Sequence, residues 1–224
     1  MSDQPTNTPP PAEPAQIIAI MTTEHFTLQG ARAATISEAS GRSSLFLGAV
    51  SSGLVALGFI GQFSKLDDAF FIFGLVLFAG LFFLGLVTFI RLLETSLEDA
   101  IYARAIARIR HYYLEVAPHM RPYFVLPSND DMQTAMMGSM GLSLPHIQIL
   151  LTSAGLVSVI NGLLAGVFVG FGLALLAASS PIILISGLIV FIALVWLQTS
   201  YQQRQWILAN SKQTSLFPKT PEGA

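Results

Sequence analysis

A cluster of basic side chains in the middle of the chain has the residue types needed to bind an anion. Guanidinium groups recognise phosphate through paired hydrogen bonds, and the cluster consists of Arg104, Arg108, Arg110 and His111. One interpretation is a solvated helix face that is attracted to anionic lipid headgroups. The other is an anion or nucleotide-phosphate site that Arg32 or Arg42 completes. The first interpretation is the simpler one, because runs of charge usually lie on solvated helix faces.

No other pattern in the chain is typical of an enzyme or a metal centre. The chain has no cysteine, which excludes disulfides, thiolate metal sites and cysteine nucleophiles. Its four histidines lack the spacing of metal ligands, and it contains no nucleotide-binding loop, zinc-peptidase motif or nucleophile elbow. We therefore expect no catalytic residue, metal or cofactor. The net charge of −2 gives no indication of nucleic-acid binding.

Small residues recur at every fourth position of one apolar segment. They are Ala154, Ser158, Gly162, Gly166, Gly170, Ala174 and Ala178. On a helix this spacing produces a shallow groove along one face, which lets a second membrane helix approach closely. That second helix belongs either to the same chain or to another copy in a homo-oligomer. Asn161 flanks the groove, and a lone amide in an apolar segment predicts a hydrogen bond between helices, with an ion or polar-substrate path as the alternative.

Four uncharged apolar segments must hold these residues in place. They are residues 45–63, 70–90, 149–178 and 181–197. About 20 apolar residues cross a bilayer as a helix, so we predict an all-α integral membrane protein with four transmembrane helices in two hairpins, plus cytoplasmic amphipathic helices. The third segment is longer than one crossing needs, and we expect residues 149–153 to lie in the headgroup layer or under protein. The absence of ionisable residues from all four segments argues against a proton-coupled pump.

The distribution of basic residues predicts the orientation. Ten of the 11 Lys and Arg residues lie before the first span, between the second and third, or after the fourth, and Lys65 is the exception. By the positive-inside rule, both termini and the central connection are cytoplasmic. We expect a multi-pass protein of the bacterial cytoplasmic (inner) membrane. Residues 1–44 contain no apolar signal-peptide core, so the first span is expected to be an uncleaved anchor.

Composition and periodicity divide the chain into six parts. They are a disordered proline-rich tail (1–22), an amphipathic helix (23–44), a first transmembrane hairpin (45–93), a cytoplasmic helical connection (94–148), a second transmembrane hairpin (149–200) and a cytoplasmic tail (201–224). Within the connection, residues 128–131 read as a helix start. The short helix that follows would present Met132, Met136 and Met140 as an adaptable contact surface.

Two segments resemble uncharacterised bacterial multi-span membrane proteins. The first contains Leu28, Gln29, Arg32, Thr35, Ile36, Ser37, Glu38 and Arg42 and runs into residues 45–59. The second contains Phe89, Ile90, Arg91, Glu98, Asp99, Tyr102, Ala103, Arg104 and residues 108–113. The layout over residues 23–115 resembles transmembrane effector modules of bacterial nucleotide-signalling defence systems. The resemblance implies a cytoplasmic sensing input and an oligomer that permeabilises the membrane, and it identifies no functional residue.

These observations favour a non-enzymatic membrane module that acts by helix–helix association, either with itself or with a cytoplasmic partner. Its predicted partners are the lipid bilayer, further copies of the chain, and a cytoplasmic protein or nucleotide. The alternatives are an oligomeric membrane-permeabilising effector or channel, and a small transporter.

Overall fold

The computed structural model describes residues 13–64, 67–131, 149–212 and 214–218. These residues form four long α-helices, one short 3₁₀ helix and a helical stretch at 149–151, and they contain no strand. The helices are α1 (Pro14–Ser64), α2 (Asp68–Val116), the 3₁₀ helix (Pro118–Tyr123), α3 (Ser153–Leu175) and α4 (Ser180–Ser211). Each α-helix contains a stretch long and apolar enough to cross a membrane. The prediction of an all-α chain with four such helices is confirmed at this level.

Helices α1 and α2 are much longer than a bilayer crossing requires. They contain 51 and 49 residues, which corresponds to about 75 Å each at 1.5 Å per residue. The hydrocarbon core measures about 30 Å, so both helices continue past their apolar stretches. Residues 14–44 of α1 and 91–116 of α2 are named the polar extension here.

Helix α1 begins earlier than the sequence predicted. The prediction of disorder over residues 1–22 is wrong for residues 14–22, which are helical. It rested on the density of prolines, but Pro14 is the last of them and is the first residue of α1. At that position a proline is tolerated, because its missing N–H would have no helical acceptor. The first helical hydrogen bond joins the Ile17 N–H to the Glu13 carbonyl at 3.0 Å.

The four helices lie in an open row in chain order. Helix α2 packs against α1 on one side and α3 on the other, and α3 packs against α4, whereas other helix pairs make few contacts. The buried core lies around α2, where Phe46, Phe78, Phe89 and Val157 are each almost fully buried. No residue in the apolar stretch of α4 is fully buried within the chain, although several are partly buried. The row therefore leaves the outer faces of α1 and α4 to whatever surrounds the protein.

Both ends of α3 differ from the uninterrupted third apolar segment of the sequence. The helix begins at Ser153, because the Thr152 hydroxyl caps it by accepting from the Gly155 N–H at 3.0 Å. It ends at Leu175, where Ala177 adopts a left-handed φ of 53° and the Ala178 N–H donates to the Leu173 carbonyl at 3.1 Å. This hydrogen bond closes the helix in a Schellman arrangement. The left-handed residue is alanine rather than the usual glycine, so the sequence carried no clear stop signal.

Candidate functional site

The two helices of the polar extension are joined by ion pairs. Arg32 of α1 donates from Nε and Nη2 to the two carboxylate oxygens of Asp99 on α2, at 2.8 and 3.3 Å. Glu38 of α1 accepts from Arg42 at 2.8 Å and from Arg91 of α2 at 3.4 Å. Arg32 and Arg42, which were predicted to complete an anion site, therefore both have a carboxylate partner.

The predicted basic cluster is divided between two faces of α2. Arg104 is 3% exposed and donates from Nε to the Asp130 backbone carbonyl at 2.7 Å. Arg108 donates from Nε to the Asp130 carboxylate at 2.6 Å and from Nη2 to the Thr214 carbonyl at 3.1 Å. These two arginines thus hold other parts of their own chain.

Asp130 fastens the carboxyl-terminal segment 214–218 to α2. Its fully buried carboxylate accepts from the Ser215 hydroxyl at 2.5 Å, the Phe217 N–H at 2.8 Å and the Leu216 N–H at 3.1 Å. Its own N–H donates to the Phe217 carbonyl at 3.2 Å. We call Arg108, Asp130 and residues 215–217 the tail clamp.

The electrostatics of the tail clamp keep Asp130 ionised. Burial alone raises the pKa of the Asp130 carboxyl, but the hydrogen bonds from Ser215, the Phe217 and Leu216 N–H groups and Arg108 outweigh burial. Together they hold this pKa well below its ordinary value of 3.8.

His111, the third predicted basic residue, also contacts the tail. Its ring stacks on Phe217 with centroids 3.9 Å apart and planes 19° from parallel, and its Nε2 lies 3.5 Å from Glu115. Three of the four predicted residues therefore meet carboxyl-terminal segment 214–218 or its anchor, Asp130. The headgroup and nucleotide interpretations of this cluster remain predictions.

Arg110 lies on the side of α2 that faces α1. Among the residues that the structure describes, it forms no hydrogen bond or ion pair. Burial lowers the pKa of its guanidinium, and the positive charge of Arg32 lowers it further. His25 of α1 is nearby and stacks on Tyr113 at a centroid distance of 6.0 Å. Burial lowers the pKa of His25 from its ordinary 6.5, and Arg110 lowers it further, so the imidazole is neutral at pH 7.

A layer of buried amides and hydroxyls lies between α3 and α4. The predicted interhelical hydrogen bond of Asn161 is confirmed, because its Nδ2 donates to Gln198 Oε1 of α4 at 3.4 Å. One helical turn further on, Gln202 donates from Nε2 to Thr152 Oγ1 at 3.2 Å. Several buried atoms of this layer have no hydrogen-bond partner among the described residues: Ser158 Oγ, Asn161 Oδ1, Gln198 Nε2 and Gln202 Oε1.

The small-residue groove faces α4 of the same chain. A Cβ added at Gly166 would lie 2.7 Å from the Gly187 carbonyl oxygen, and one at Gly162 would lie 2.8 Å from Val195. Gly170 approaches Ile183 in the same way, at 3.5 Å. Ala178, predicted as the last member of the groove, lies beyond the end of α3, and its inclusion is wrong. The remaining members, Ala154 to Ala174, are on the helix.

The far end of the polar extension exposes large apolar side chains outside the apolar stretches. Val125, Tyr123 and Phe26 are 94%, 74% and 68% exposed. Ile20 and Val116 are more than half exposed. The His25–Tyr113 stack places the start of α1 beside the end of α2. We call Ile20, Phe26, Val116, Tyr123 and Val125 the distal tip.

Some of these residues could not be singled out from the sequence, and some predictions cannot be compared with the structure. Asp130 was interpreted as part of a helix start; it lies in a non-helical segment, residues 124–131, and the helix predicted to follow lies outside the described residues. Its partners lie 85 to 87 positions away, so no local pattern could identify the tail clamp. The predicted methionine surface of Met132, Met136 and Met140 lies outside the described residues.

The described residues contain no group of three or more His, Cys, Asp or Glu side chains that could hold a metal ion. In the comparisons with known proteins, the chain matches no protein family, no curated protein and no solved structure.

Proposed function

We propose that this chain is a non-enzymatic module of the bacterial cytoplasmic membrane that acts by association through its polar extension. In this proposal both termini and the polar extension are cytoplasmic, and the two pairs of apolar stretches cross the membrane as hairpins. The partner is a second copy of the chain or a cytoplasmic protein.

The exposed distal tip is the observation that carries this proposal. Exposed apolar groups in a lipid environment need no explanation, but Val116 of the distal tip lies about 38 Å along α2 from Arg91, where the apolar stretch of that helix ends. Large apolar side chains that are exposed to water are typical of protein–protein contact sites. Tyrosine and phenylalanine are also enriched at such contacts.

The proposal is tested with the full-length protein in detergent. Light scattering with the detergent contribution subtracted gives the protein mass of the wild type and of a Phe26→Ser, Val125→Ser double variant. The matched control is Ile36→Ser, which removes an exposed isoleucine of α1 that lies nearer the membrane. Self-association through the distal tip predicts an oligomer that the double variant disperses and the control retains.

A monomeric wild type directs the test to a cytoplasmic partner. A photocrosslinking amino acid at Tyr123 should then give a defined heavier product in cells, which the Phe26→Ser, Val125→Ser changes remove and Ile36→Ser keeps. A monomer that gives no such product contradicts the proposal. An oligomer that neither substitution set disperses also contradicts it, because association would then occur elsewhere.

An oligomeric channel or permeabilising effector is the second candidate. The open row favours it, since α1 and α4 have unpartnered apolar faces through which several copies could close into a ring. A shallow groove of about 520 Å³ between α3 and α4, lined by Gly170, Ala174 and Phe171 among others, offers a further apolar contact. This candidate predicts that expression depolarises cells. The small-transporter alternative has weaker support, because the buried amide layer contains no ionisable group.

A further inference from the structure

We propose that His25, Arg32 and Arg110, between α1 and α2, form a binding site for a small phosphate-type oxyanion from the cytoplasm. This site is distinct from the distal tip and from the tail clamp. The inference goes beyond the proposed function and rests on it only for the cytoplasmic location of the polar extension.

The guanidinium of Arg110 has no counterion among the described residues. Within the described ranges, Arg110 is half-buried and has no carboxylate partner, whereas Arg32, Arg42, Arg91 and Arg108 each have one. The charged side chain that lowers the pKa of Arg110, after burial, is Arg32, which is another cation. A half-buried, unpaired guanidinium beside a second one is unfavourable. An oxyanion bound beside Arg110 would replace this repulsion with attraction. It would also accept hydrogen bonds from two N–H groups of the planar guanidinium.

His25 carries a hydrogen-bond donor that no described residue accepts. Gln29 Nε2 lies 2.8 Å from His25 Nε2. An amide nitrogen can only donate, so His25 Nε2 accepts, and the proton of the neutral ring is on Nδ1. Nδ1 is buried and has no hydrogen-bond partner among the described residues. A buried N–H group without an acceptor costs free energy, and an oxyanion bound beside Arg110 removes that cost.

The charge balance fits a phosphate better than a neutral ligand. Arg32 and Arg110 contribute two positive charges and Asp99 contributes one negative charge. His25 is neutral in the free protein, since burial and Arg110 lower its pKa. The site therefore has a net positive charge, which increases if His25 becomes protonated. A phosphate monoester carries −1.5 to −2 near pH 7 and would favour that protonation.

The distance of Arg110 from the apolar stretch of α2 decides between a soluble ligand and a lipid headgroup. Arg110 is 19 positions past Arg91 on one continuous helix, or about 28 Å along the axis. A headgroup at the level of Arg91 cannot reach it, and the field of an anionic membrane decays within about 8 Å at physiological salt. The structure therefore favours a free cytoplasmic phosphate compound.

The test measures inorganic phosphate binding to the full-length protein in nanodiscs of zwitterionic lipid. Isothermal titration with phosphate, at constant ionic strength set by chloride, should saturate in the wild type. Arg110→Gln should weaken binding at least about tenfold, as expected for the loss of one charge-assisted hydrogen bond. His25→Phe, which keeps the ring against Tyr113 but removes Nδ1–H, should also weaken it. Arg121→Gln removes an exposed positive charge elsewhere and should leave binding unchanged.

Two further measurements make the result decisive. Without phosphate, Arg110→Gln should melt at the same temperature as the wild type or higher, because it removes repulsion from Arg32, and this shows that the variant folds. Repeating the titration in nanodiscs of anionic lipid should give the same affinity. A weaker apparent affinity there would mean that headgroups occupy the site and would overturn the assignment to a soluble ligand. Titrations that do not saturate, or that are equally weakened by Arg110→Gln and Arg121→Gln, would overturn the site itself.

Discussion

A contact between Gly85 and Asn161 sets how closely α2 and α3 approach. A Cβ at Gly85 would collide with Asn161 Oδ1 and would lie 3.0 Å from the Phe46 ring. Asn161 and Phe46 are almost fully buried, so neither side chain has room to move away. Any side chain at Gly85 must therefore displace the amide that bonds to Gln198.

The residue-scale prediction concerns Gly85→Ala. Inserting one methyl group into this packed contact should destabilise the protein by about 1–3 kcal/mol, measured as a lower thermal midpoint in detergent. Gly80→Ala is the matched control on the same helix, since a Cβ there meets no atom within 4 Å. It should have no effect or slightly raise the midpoint, because alanine favours helix. Equal effects of the two substitutions would show that Gly85 does not limit the approach of α2 and α3.

The buried amide layer was only partly predictable from the sequence. The hydrogen bond of Asn161 could be predicted, because an amide in an apolar segment has few alternatives to a bond between helices. Its partners, Gln198 and Gln202, could not be chosen from the sequence. They follow the apolar run 181–197 and are indistinguishable from the polar residues that begin any cytoplasmic tail. Only the antiparallel register of α3 and α4 brings them opposite Asn161 and Thr152.

At the scale of elements, the tail clamp connects the end of α4 to the polar extension. Helix α4 makes few contacts with α2 along the rest of its length, so Asp130 and residues 215–217 form the main link between them. Local patterns in the sequence indicate helices along most of α1 and α2, although not the start of α1 at Pro14, whereas this link depends on contacts between distant positions. The helices can therefore be predicted from the sequence, but the tail clamp that links α4 to α2 cannot.

The element-scale prediction is that Asp130→Asn releases the tail. Asparagine cannot accept at the same time from Arg108, Ser215 and two N–H groups without turning its own NH₂ towards one of these donors. The Leu216 and Phe217 amides should exchange with deuterium at least about tenfold faster than in the wild type. Glu98→Gln, which alters an exposed carboxylate of α2, is the control and should leave this exchange unchanged.

The acid response of the wild type checks the same contact independently. The folded pKa of Asp130 is lowered from 3.8, so its stabilisation is fully present above that value and is lost only as the pH falls towards the lower folded pKa. Protection of Leu216 and Phe217, corrected for the intrinsic exchange rate, should persist at pH 5. Loss of protection between pH 7 and pH 5 would mean that another group holds the tail.

At the scale of the whole molecule, composition identifies which helices are apolar enough to cross a membrane but not how they are arranged. Only helices satisfy their own backbone groups in hydrocarbon, so uncharged apolar runs of sufficient length predict the four spans. The arrangement of the helices in an open row could not be predicted in this way. The apolar stretch of α4 is hydrophobic on all sides, so its sequence does not show which face contacts another helix. For α3, the small residues identified which face accepts a neighbour, and the structure supplies α4 as that neighbour.

The whole-molecule prediction concerns the orientation in the membrane. The polar extension and the 3₁₀ helix that follows it should lie on one side, and the two short turns, between α1 and α2 and between α3 and α4, on the other. The chain contains no cysteine, so single cysteines at Thr23, Arg121, Asp68 and Ser179 can be labelled without background. These positions are exposed and lie on the polar extension (Thr23), in the 3₁₀ helix that follows it (Arg121), or beside the turns between the apolar stretches (Asp68, Ser179). A membrane-impermeant maleimide should label Asp68→Cys and Ser179→Cys in intact spheroplasts, and the other two only after permeabilisation. Labelling of Thr23→Cys in intact spheroplasts would place the distal tip and the oxyanion site outside, where a cytoplasmic partner or phosphate compound could not reach them.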